Sequence, residues 1–240
     1  MALVAFASAK GSPGVTTLAR ALAGVWPRPA LLVELDPAGG DLAARGGFAL
    51  EPGLASLALA ARSGLNPEML ASHTQTLPDG ASLVVAPVHP WQVGAALEVV
   101  AASLAPAAAG LAGVDVLADC GRLDGSSPVL GVVEKADAVV LVARPTLDGL
   151  AHLQPWLDRL GDGDGDVGVV LIGAGDYDPK EVSQALAVPT LGVVADDLRG
   201  ARLACAAGVD RARRTLFVRS AAGLAADLDR RLQAVQAVAR

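Results

Sequence analysis

The sequence is poor in aromatic residues, cysteine and lysine. Phenylalanine, tryptophan and tyrosine together make up 3% of its 240 residues, so the core must be built from alanine, valine and leucine. Its two cysteines, Cys120 and Cys205, are too few for a disulfide framework, and no Cys/His cluster has metal-ligand spacing. A reducing, cytoplasmic environment is therefore expected.

The charge balance and the hydropathy exclude several classes of protein. Hydrophobic residues make up 52% of the chain and charged residues 18%, which excludes an intrinsically disordered protein. The net charge of −6 argues against a nucleic-acid binder with a wholly basic surface. The most apolar stretch, residues 99–114, is too short to span a membrane, and we interpret it as a buried helix followed by a strand. No integral membrane segment is expected.

Short apolar runs alternate with segments that favour helices. The runs are nearly free of polar side chains, which is typical of strands buried on both faces of a parallel sheet. Their alternation with helices predicts a single α/β domain over residues 1–240, a three-layer sandwich around a doubly wound, mostly parallel sheet of roughly seven strands. The predicted strands are 3–8, 30–35, 82–86, 114–118, 138–143, 167–172 and 190–194. The predicted helices are 16–25, 54–61, 67–72, 91–104, 147–160, 179–186 and 220–239.

A glycine-containing loop connects the first predicted strand to the first predicted helix. Residues 10–17 read KGSPGVTT, and such a loop forms an anion cradle because its backbone N–H groups point inward and the helix dipole favours phosphate. Thr16 stands where a hydroxyl could hold Mg²⁺. The general P-loop pattern G-x-x-x-x-G-K-[ST] does not match, since Ala9 replaces its first glycine and Val15 its lysine. For the loop alone, an ordinary strand–helix turn is the alternative.

The loop resembles the deviant Walker A motif of the MinD/ParA family of P-loop ATPases, K-G-G-x-G-K-[ST]-[ST]. Ser12 replaces a glycine of that motif, and Val15 replaces its phosphate lysine. The resemblance implies ATP and Mg²⁺ as cofactors, and it implies that Lys10 reaches across an ATP-bound dimer to the partner's phosphates. A solvated loop lysine is the alternative for Lys10. The matching positions are Lys10, Gly11, Gly14, Thr16 and Thr17. The implied nucleotide-binding residues are Gly11, Ser12, Pro13, Gly14, Val15, Thr16 and Thr17.

Two acidic strand ends add to the resemblance. Residues 34–37 read ELDP, similar to the family's switch I sequence V-D-x-D-P, and residues 115–121 resemble its Walker B and switch II segment. The resemblance implies that Asp36 positions Mg²⁺ and the attacking water, and that Asp119 binds the Mg²⁺ shell through water. Ordinary acidic residues at strand ends are the alternative. The implied metal ligands are Thr16, Asp36 and Asp119, and the implied catalytic residues are Lys10 and Asp36.

Later segments follow in the family's order, so the resemblance covers nearly the whole chain. Residues 83–87, 136–146 and 188–197 resemble, in turn, the family's third strand, the strand after switch II and the turn that lines the base pocket. The asparagine that usually follows the sixth strand is missing, because Gly173 or Gly175 stands there.

The missing lysine at position 15 limits the function that the resemblance implies. A charge-assisted hydrogen bond contributes roughly 1.5–3 kcal/mol, so nucleotide binding should be weakened roughly 10- to 150-fold. The implied function is an ATP-binding homodimer with slow or absent hydrolysis. It would be a positional switch or scaffold in chromosome partitioning, polar organisation, or pilus and secretion assembly of the CpaE/TadZ type. The alternative is a nucleotide-free pseudo-ATPase that serves as a protein-interaction module. A third hypothesis is a true ATPase in which Lys10 or an arginine replaces the lysine.

Three further segments bear on partners, and the protein partner itself is unknown. A late group of arginines could bind DNA, but arginines on an alanine-rich surface more often serve solvation, so DNA binding is not favoured. The segment 220–239 lacks phenylalanine and tryptophan, which predicts a packing helix rather than a membrane anchor. Residues 161–167 alternate glycine and aspartate, but Val167 and Gly173 replace the glycine and glutamate of a calcium loop, so a surface turn is predicted. The arginines are Arg199, Arg202, Arg211, Arg213, Arg214 and Arg219.

Overall fold

Eight strands form one sheet in the computed structural model, which describes residues 1–161 and 165–238. Their order across the sheet is β3-β4-β2-β5-β1-β6-β7-β8, and all neighbours are parallel except β3 and β4. The strands are β1 Leu3–Ser8, β2 Ala30–Glu34, β3 Gln75–Thr76, β4 Ser82–Val84, β5 Asp115–Arg122, β6 Ala138–Ala143, β7 Asp166–Ile172 and β8 Thr190–Val194.

The mostly parallel, doubly wound sheet predicted from the apolar runs is confirmed, with one strand more than expected. All seven predicted runs form strands, and the additional strand, β3, is a two-residue antiparallel edge. A two-residue strand carries no periodicity, so the sequence pattern does not reveal it. Strand β5 is longer than predicted and continues through Asp119 to Arg122, which places the predicted metal ligand inside the sheet.

Helices cover both faces of the sheet. The described α-helices are α1 Val15–Val25, α2 Leu42–Gly46, α3 Leu54–Ala60, α4 Pro67–Ser72, α5 Pro90–Ala109, α6 Leu130–Val133, α7 Leu147–Ala151, α8 Gln154–Leu160, α9 Pro179–Leu186, α10 Leu198–Ala207, α11 Val209–Ala212 and α12 Leu216–Val238. A short 3₁₀ helix, Ala61–Ser63, follows α3.

Several helix boundaries differ from the predicted ones. The segment 147–160 forms two helices, α7 and α8, rather than one. Helix α12 begins four residues before the predicted start at residue 220, and the predicted end at residue 239 lies outside the described residues. The predicted turn at 161–167 includes residues 162–164, which also lie outside them. Helices α2, α6, α10 and α11 are not among the predicted ones, and α2, α6 and α11 have only four or five residues, too few to show a helical period.

The central strand β1 divides its side chains between two apolar cores. Leu3, Ala5 and Ala7 pack in one core, while Val4 and Phe6 pack in the other, as the two-residue period of a strand requires. Helices α3, α4, α5, α6 and α8 cover the first core, and α1, α10 and α12 cover the second. The result is the three-layer sandwich that the sequence predicts.

Helix α5 is 20 residues long and, by length and composition alone, could cross a membrane. In the fold, however, Val93, Leu97 and Leu104 of this helix lie in the first core, and β5 follows it, as expected for residues 99–114. The helix continues past Pro106 to Ala109, although the predicted helix ends at residue 104. A proline there leaves the carbonyl of Ala102 without its helical donor, and Lys135 Nζ donates to that oxygen instead at 3.1 Å.

Candidate functional site

The loop between β1 and α1 has the backbone geometry of an anion cradle. Gly11 and Gly14 adopt positive φ angles of 70° and 105°, which favour glycine. Gly14 directly precedes α1, and no side chain of the described residues caps this helix N-terminus. The N–H groups of the first turn are therefore available to an anion, and the helix dipole adds positive potential there.

A cavity of about 460 Å³ lies over this loop, at the carboxyl ends of β1, β2 and β5. All seven loop residues implied by the resemblance line it, together with Asp36. Ligands bind at this edge of open α/β sheets. Its other lining residues are Ser8, Ala38, Asp41, Arg45, Gly121 and Arg122.

Asp119 lies beneath the loop with its side chain fully buried. Its Oδ1 accepts a hydrogen bond from the Gly121 N–H at 3.2 Å, whereas Oδ2 has no hydrogen bond of normal geometry among the described residues, and the Thr16 hydroxyl is a neighbour of the carboxylate. The pKa of Asp119 is raised to about 7, mainly by burial and also by the charges of Glu34 and Asp36, although hydrogen bonding by the Thr16 hydroxyl and the Gly121 N–H lowers it. Burial of a carboxylate oxygen that lacks a well-formed hydrogen bond lowers the free energy of unfolding unless a cation binds the oxygen.

Asp36 faces Asp119 across the end of the sheet. Its Oδ1 accepts the Ala38 N–H at 2.8 Å, and burial, with the charge of Asp41, raises its pKa. Gly121 has a φ of 59°, and a Cβ there would lie 2.0 Å from the Asp36 Cγ, so only glycine admits this carboxylate. Two carboxylates and the Thr16 hydroxyl are oxygen donors of the kind Mg²⁺ prefers, and the donor set fits that ion.

Glu34 positions the loop that carries Asp36. Its side chain is fully buried, and it accepts three backbone N–H groups, from Asp41 at 2.7 Å, Leu42 at 2.9 Å and Ala86 at 2.9 Å. Burial raises its pKa, and the three N–H groups lower it. The resemblance places Glu34 at the first acid of switch I, and the structure shows that it joins the residue 36–41 loop to the end of β4.

Neither of the motif's two lysine positions places a positively charged side chain in the cavity. Lys10 is exposed and does not line the cavity, and its Nζ lies 2.9 Å from His152 Nε2. Val15 lines the cavity but is only 5% exposed and packs in the second core with Leu18 and Leu22. The loop therefore contributes no cationic side chain to the cavity.

Solved structures with the same fold match this chain over nearly its whole length. The cell division ATPase MinD of Pyrococcus furiosus has a TM-score of 0.79 at 18% identity, over 95% of this chain and 98% of that one. A ParA family ATPase of Chlorobium tepidum has a TM-score of 0.71 at 17% identity, over 93% and 97%. MinD of Pyrococcus horikoshii, solved with Mg-ADP, has a TM-score of 0.70 at 18% identity, over 95% and 96%.

This chain has the MinD/ParA fold. The P-loop α/β sandwich expected from the loop and strand ends is thereby confirmed. No protein-family model matches the sequence, and no curated protein matches it either.

In this MinD/ParA fold, a glycine stands in the region where the resemblance places the base pocket. Gly173 follows β7 with a φ of 75°, and a Cβ there would lie 2.9 Å from the Asp196 Cβ, so a side chain such as asparagine would displace Asp196. Asp196 in turn accepts a hydrogen bond from Arg144 Nη1 at 2.7 Å. Glycine at position 173 therefore leaves the space that the Asp196 side chain occupies.

Two arginines of the cavity were missed by the sequence analysis. Arg45, on α2, donates from Nη1 to Thr17 Oγ1 at 3.0 Å and pairs with Asp41 through Nη2. Arg122 ends β5 and lowers the pKa of the neighbouring Asp36. The Asp41–Arg45 spacing of four residues, which suits a helical ion pair, is the signal that could have revealed α2 and its arginine.

Proposed function

We propose that this chain binds ATP with Mg²⁺ through a degenerate P-loop and acts as a dimerising positional switch or scaffold in the cytoplasm, with slow or absent hydrolysis. One observation carries the proposal: the fully buried carboxylate of Asp119, whose Oδ2 lacks a hydrogen bond of normal geometry among the described residues, lies beneath a glycine loop that opens on a helix N-terminus. A metal ion bound to phosphates would supply a cation to the Asp119 carboxylate and an anion to the helix N-terminus. The Mg-ADP bound by the fold relative from Pyrococcus horikoshii supports this choice of ligand.

Each part of the site has a distinct role in this proposal. The N–H groups of residues 11–17 would bind the phosphates, and Thr16, Asp36 and Asp119 would hold Mg²⁺, directly or through water. The ion neutralises phosphate charge and helps to orient the phosphates when it is bound. Because position 15 has no ammonium group, the transition state of phosphoryl transfer loses one stabilising charge, and turnover should be slow.

The dimer in the proposal depends on Lys10. In the described chain this lysine contacts His152 rather than its own cavity, so its side chain lies away from the loop's phosphate-binding surface. A lysine that points away from its own site is compatible with one that serves a partner's nucleotide. Chromosome partitioning, polar organisation and pilus or secretion assembly are the processes proposed for such a dimer, with a protein partner of unknown identity.

A nucleotide-free interaction module is the second candidate function. The apolar burial of Val15 and the glycine in place of the base-pocket asparagine favour it, since both remove groups that would contact nucleotide. DNA binding by the arginines between residues 199 and 219 remains a less favoured alternative.

Calorimetry with ATP–Mg²⁺ distinguishes the two candidates. We expect micromolar binding by the wild type and weaker binding by Lys10→Ala and Asp36→Ala. Lys180→Ala, which removes an exposed lysine that does not line the cavity, is the control. Light scattering should show the mass doubling with ATP–Mg²⁺ in the wild type and not in Lys10→Ala. No heat at millimolar ATP would contradict nucleotide binding and leave the interaction module.

A further inference from the structure

The cavity holds no lysine from its own loop, yet a triphosphate would bring several negative charges into it. Asp36 and Asp41 line the same cavity, and Asp119 lies beneath it, so the site is rich in carboxylates. Mg²⁺ offsets only part of that charge. A cation from outside the loop is therefore needed if phosphates bind here.

Two arginines are within the lining, and their positions differ. Arg122 lies beside Asp36, on the side of the predicted metal ligands, where its charge lowers the pKa of that carboxyl. Arg45 contacts Thr17, the last residue of the loop, at 3.0 Å. The guanidinium of Arg45 is thus adjacent to the helix N-terminus, where phosphate would bind.

Arg45 also has space in which to change partners. Its side chain is 41% exposed, and it lines both the loop cavity and a neighbouring cavity of about 510 Å³ towards α10. Its partners include the Thr17 hydroxyl and Asp41, a carboxylate that is itself 56% exposed, and its guanidinium also lies near the Cys205 thiol. The backbone N–H of Asp41 is bound to Glu34, so the backbone carrying Asp41 is held, and the arginine could exchange its exposed partners without moving that backbone.

We propose that Arg45 is the phosphate-binding cation of this site, donating from its guanidinium to the nucleotide's phosphates in place of the lysine that position 15 lacks. This inference rests on the proposed function. Asp41 holds the arginine beside the loop and competes with phosphate for it. Arginine suits the role because its planar fork binds phosphate oxygens in pairs.

The test compares four variants by calorimetry with ATP–Mg²⁺. Arg45→Gln should bind ATP–Mg²⁺ roughly 10- to 150-fold more weakly than the wild type, the range expected for one charge-assisted contact. Arg45→Lys keeps the charge and should fall between the two. Arg62→Gln, which removes an exposed arginine outside the cavity, should leave binding unchanged. Asp41→Asn should tighten binding several-fold, because it releases the guanidinium.

Two readouts separate a phosphate contact from a structural effect. Asp41→Asn should tighten binding more in the wild-type background than in Arg45→Gln, because only the former gains the released guanidinium as well as losing a negative charge from the cavity. The salt dependence of ATP binding should be shallower in Arg45→Gln, because one charge pair has been removed. Circular dichroism verifies that each variant is folded.

The outcomes distinguish the inference from the function on which it rests. If the wild type binds no ATP–Mg²⁺ at millimolar concentration, the proposed function fails and this inference fails with it. If the wild type binds and folded Arg45→Gln binds within twofold of it, nucleotide binding stands and the role of Arg45 is overturned. Equal tightening by Asp41→Asn with and without Arg45 would also overturn it.

Discussion

At the scale of single residues, the site depends on groups that tolerate little change. Gly121 leaves room for Asp36, and Asp119 keeps one buried oxygen without a hydrogen bond of normal geometry among the described residues. Both features concern the same corner of the cavity. Each gives a measurable consequence for the protein without nucleotide.

Gly121→Ala should lower the free energy of unfolding and displace Asp36. The new methyl group would lie 2.0 Å from the Asp36 Cγ, and the φ of 59° is unfavourable for alanine. We expect a loss of roughly 1–3 kcal/mol, measured by urea denaturation. Gly125→Ala is the matched control, since a Cβ there meets nothing within 4 Å and φ is not positive. Equal stability of the two variants would contradict the contact.

Asp119 should make the stability of the metal-free protein fall as pH rises. Folding raises its pKa from 3.8 to about 7, so the folded state holds the proton more tightly than the unfolded state between these values. Between pH 5 and pH 8 the wild type should therefore lose roughly 2–3 kcal/mol more than Asp119→Asn. Urea denaturation at both pH values in EDTA measures this. The exposed Asp176→Asn should behave as the wild type, and parallel curves for Asp119→Asn and wild type would refute the prediction.

At the scale of elements, helix α1 is fixed by a buried ion pair to the turn between β3 and β4. Arg20 Nη2 and Asp79 Oδ2 are 2.9 Å apart with both side chains almost fully buried, and Asp79 Oδ2 also accepts the Val209 N–H from α11 at 3.0 Å. The Asp79 carboxylate thus connects α1, the turn between β3 and β4, and α11. Helix α1, whose N-terminus forms one side of the anion cradle, is therefore fixed at its central residue, Arg20.

Asp79→Ala should be strongly destabilising, because it leaves the Arg20 charge buried without its partner. The expected loss is roughly 3–5 kcal/mol in thermal or urea unfolding. The exposed pair of Arg159 and Glu134 gives the control, and Glu134→Ala should cost less than about 1 kcal/mol. A similar small loss for both variants would show that water reaches Arg20.

The sequence predicts the elements that have strong apolar patterns and misses those fixed by tertiary contacts. Continuous runs such as residues 138–143 could be assigned because burial on both faces excludes polar residues. The segment of α2 has only two buried side chains, Leu42 and Ala43, and its position follows from the bonds to Glu34. Arg45 was missed for that reason, since its nearness to Thr17 depends on a loop 28 residues away in sequence.

At the scale of the whole molecule, the proposed nucleotide binding would add to the stability of the entire fold. A ligand that binds only the folded state at 100 times its dissociation constant adds about 2.7 kcal/mol. For a chain of this length that raises the melting temperature by roughly 5–10 °C.

ATP with Mg²⁺ should therefore raise the melting temperature of the wild type, and ATP with EDTA should raise it less. Asp119→Asn should lose the increment that depends on Mg²⁺, because the buried carboxylate no longer carries the charge that attracts the ion. Thermal scanning with AMP gives a control for binding of the nucleoside end. An undiminished Mg²⁺ increment in Asp119→Asn would remove Asp119 from the metal site.

The three N–H groups that Glu34 accepts belong to two segments that are far apart in sequence. Withdrawal of this single side chain would expose the amides of Asp41, Leu42 and Ala86 together. These three amides therefore form one cooperative unit of local opening and should exchange their hydrogens with solvent at a common rate. The cavity wall and the end of β4 consequently open or stay closed as one piece.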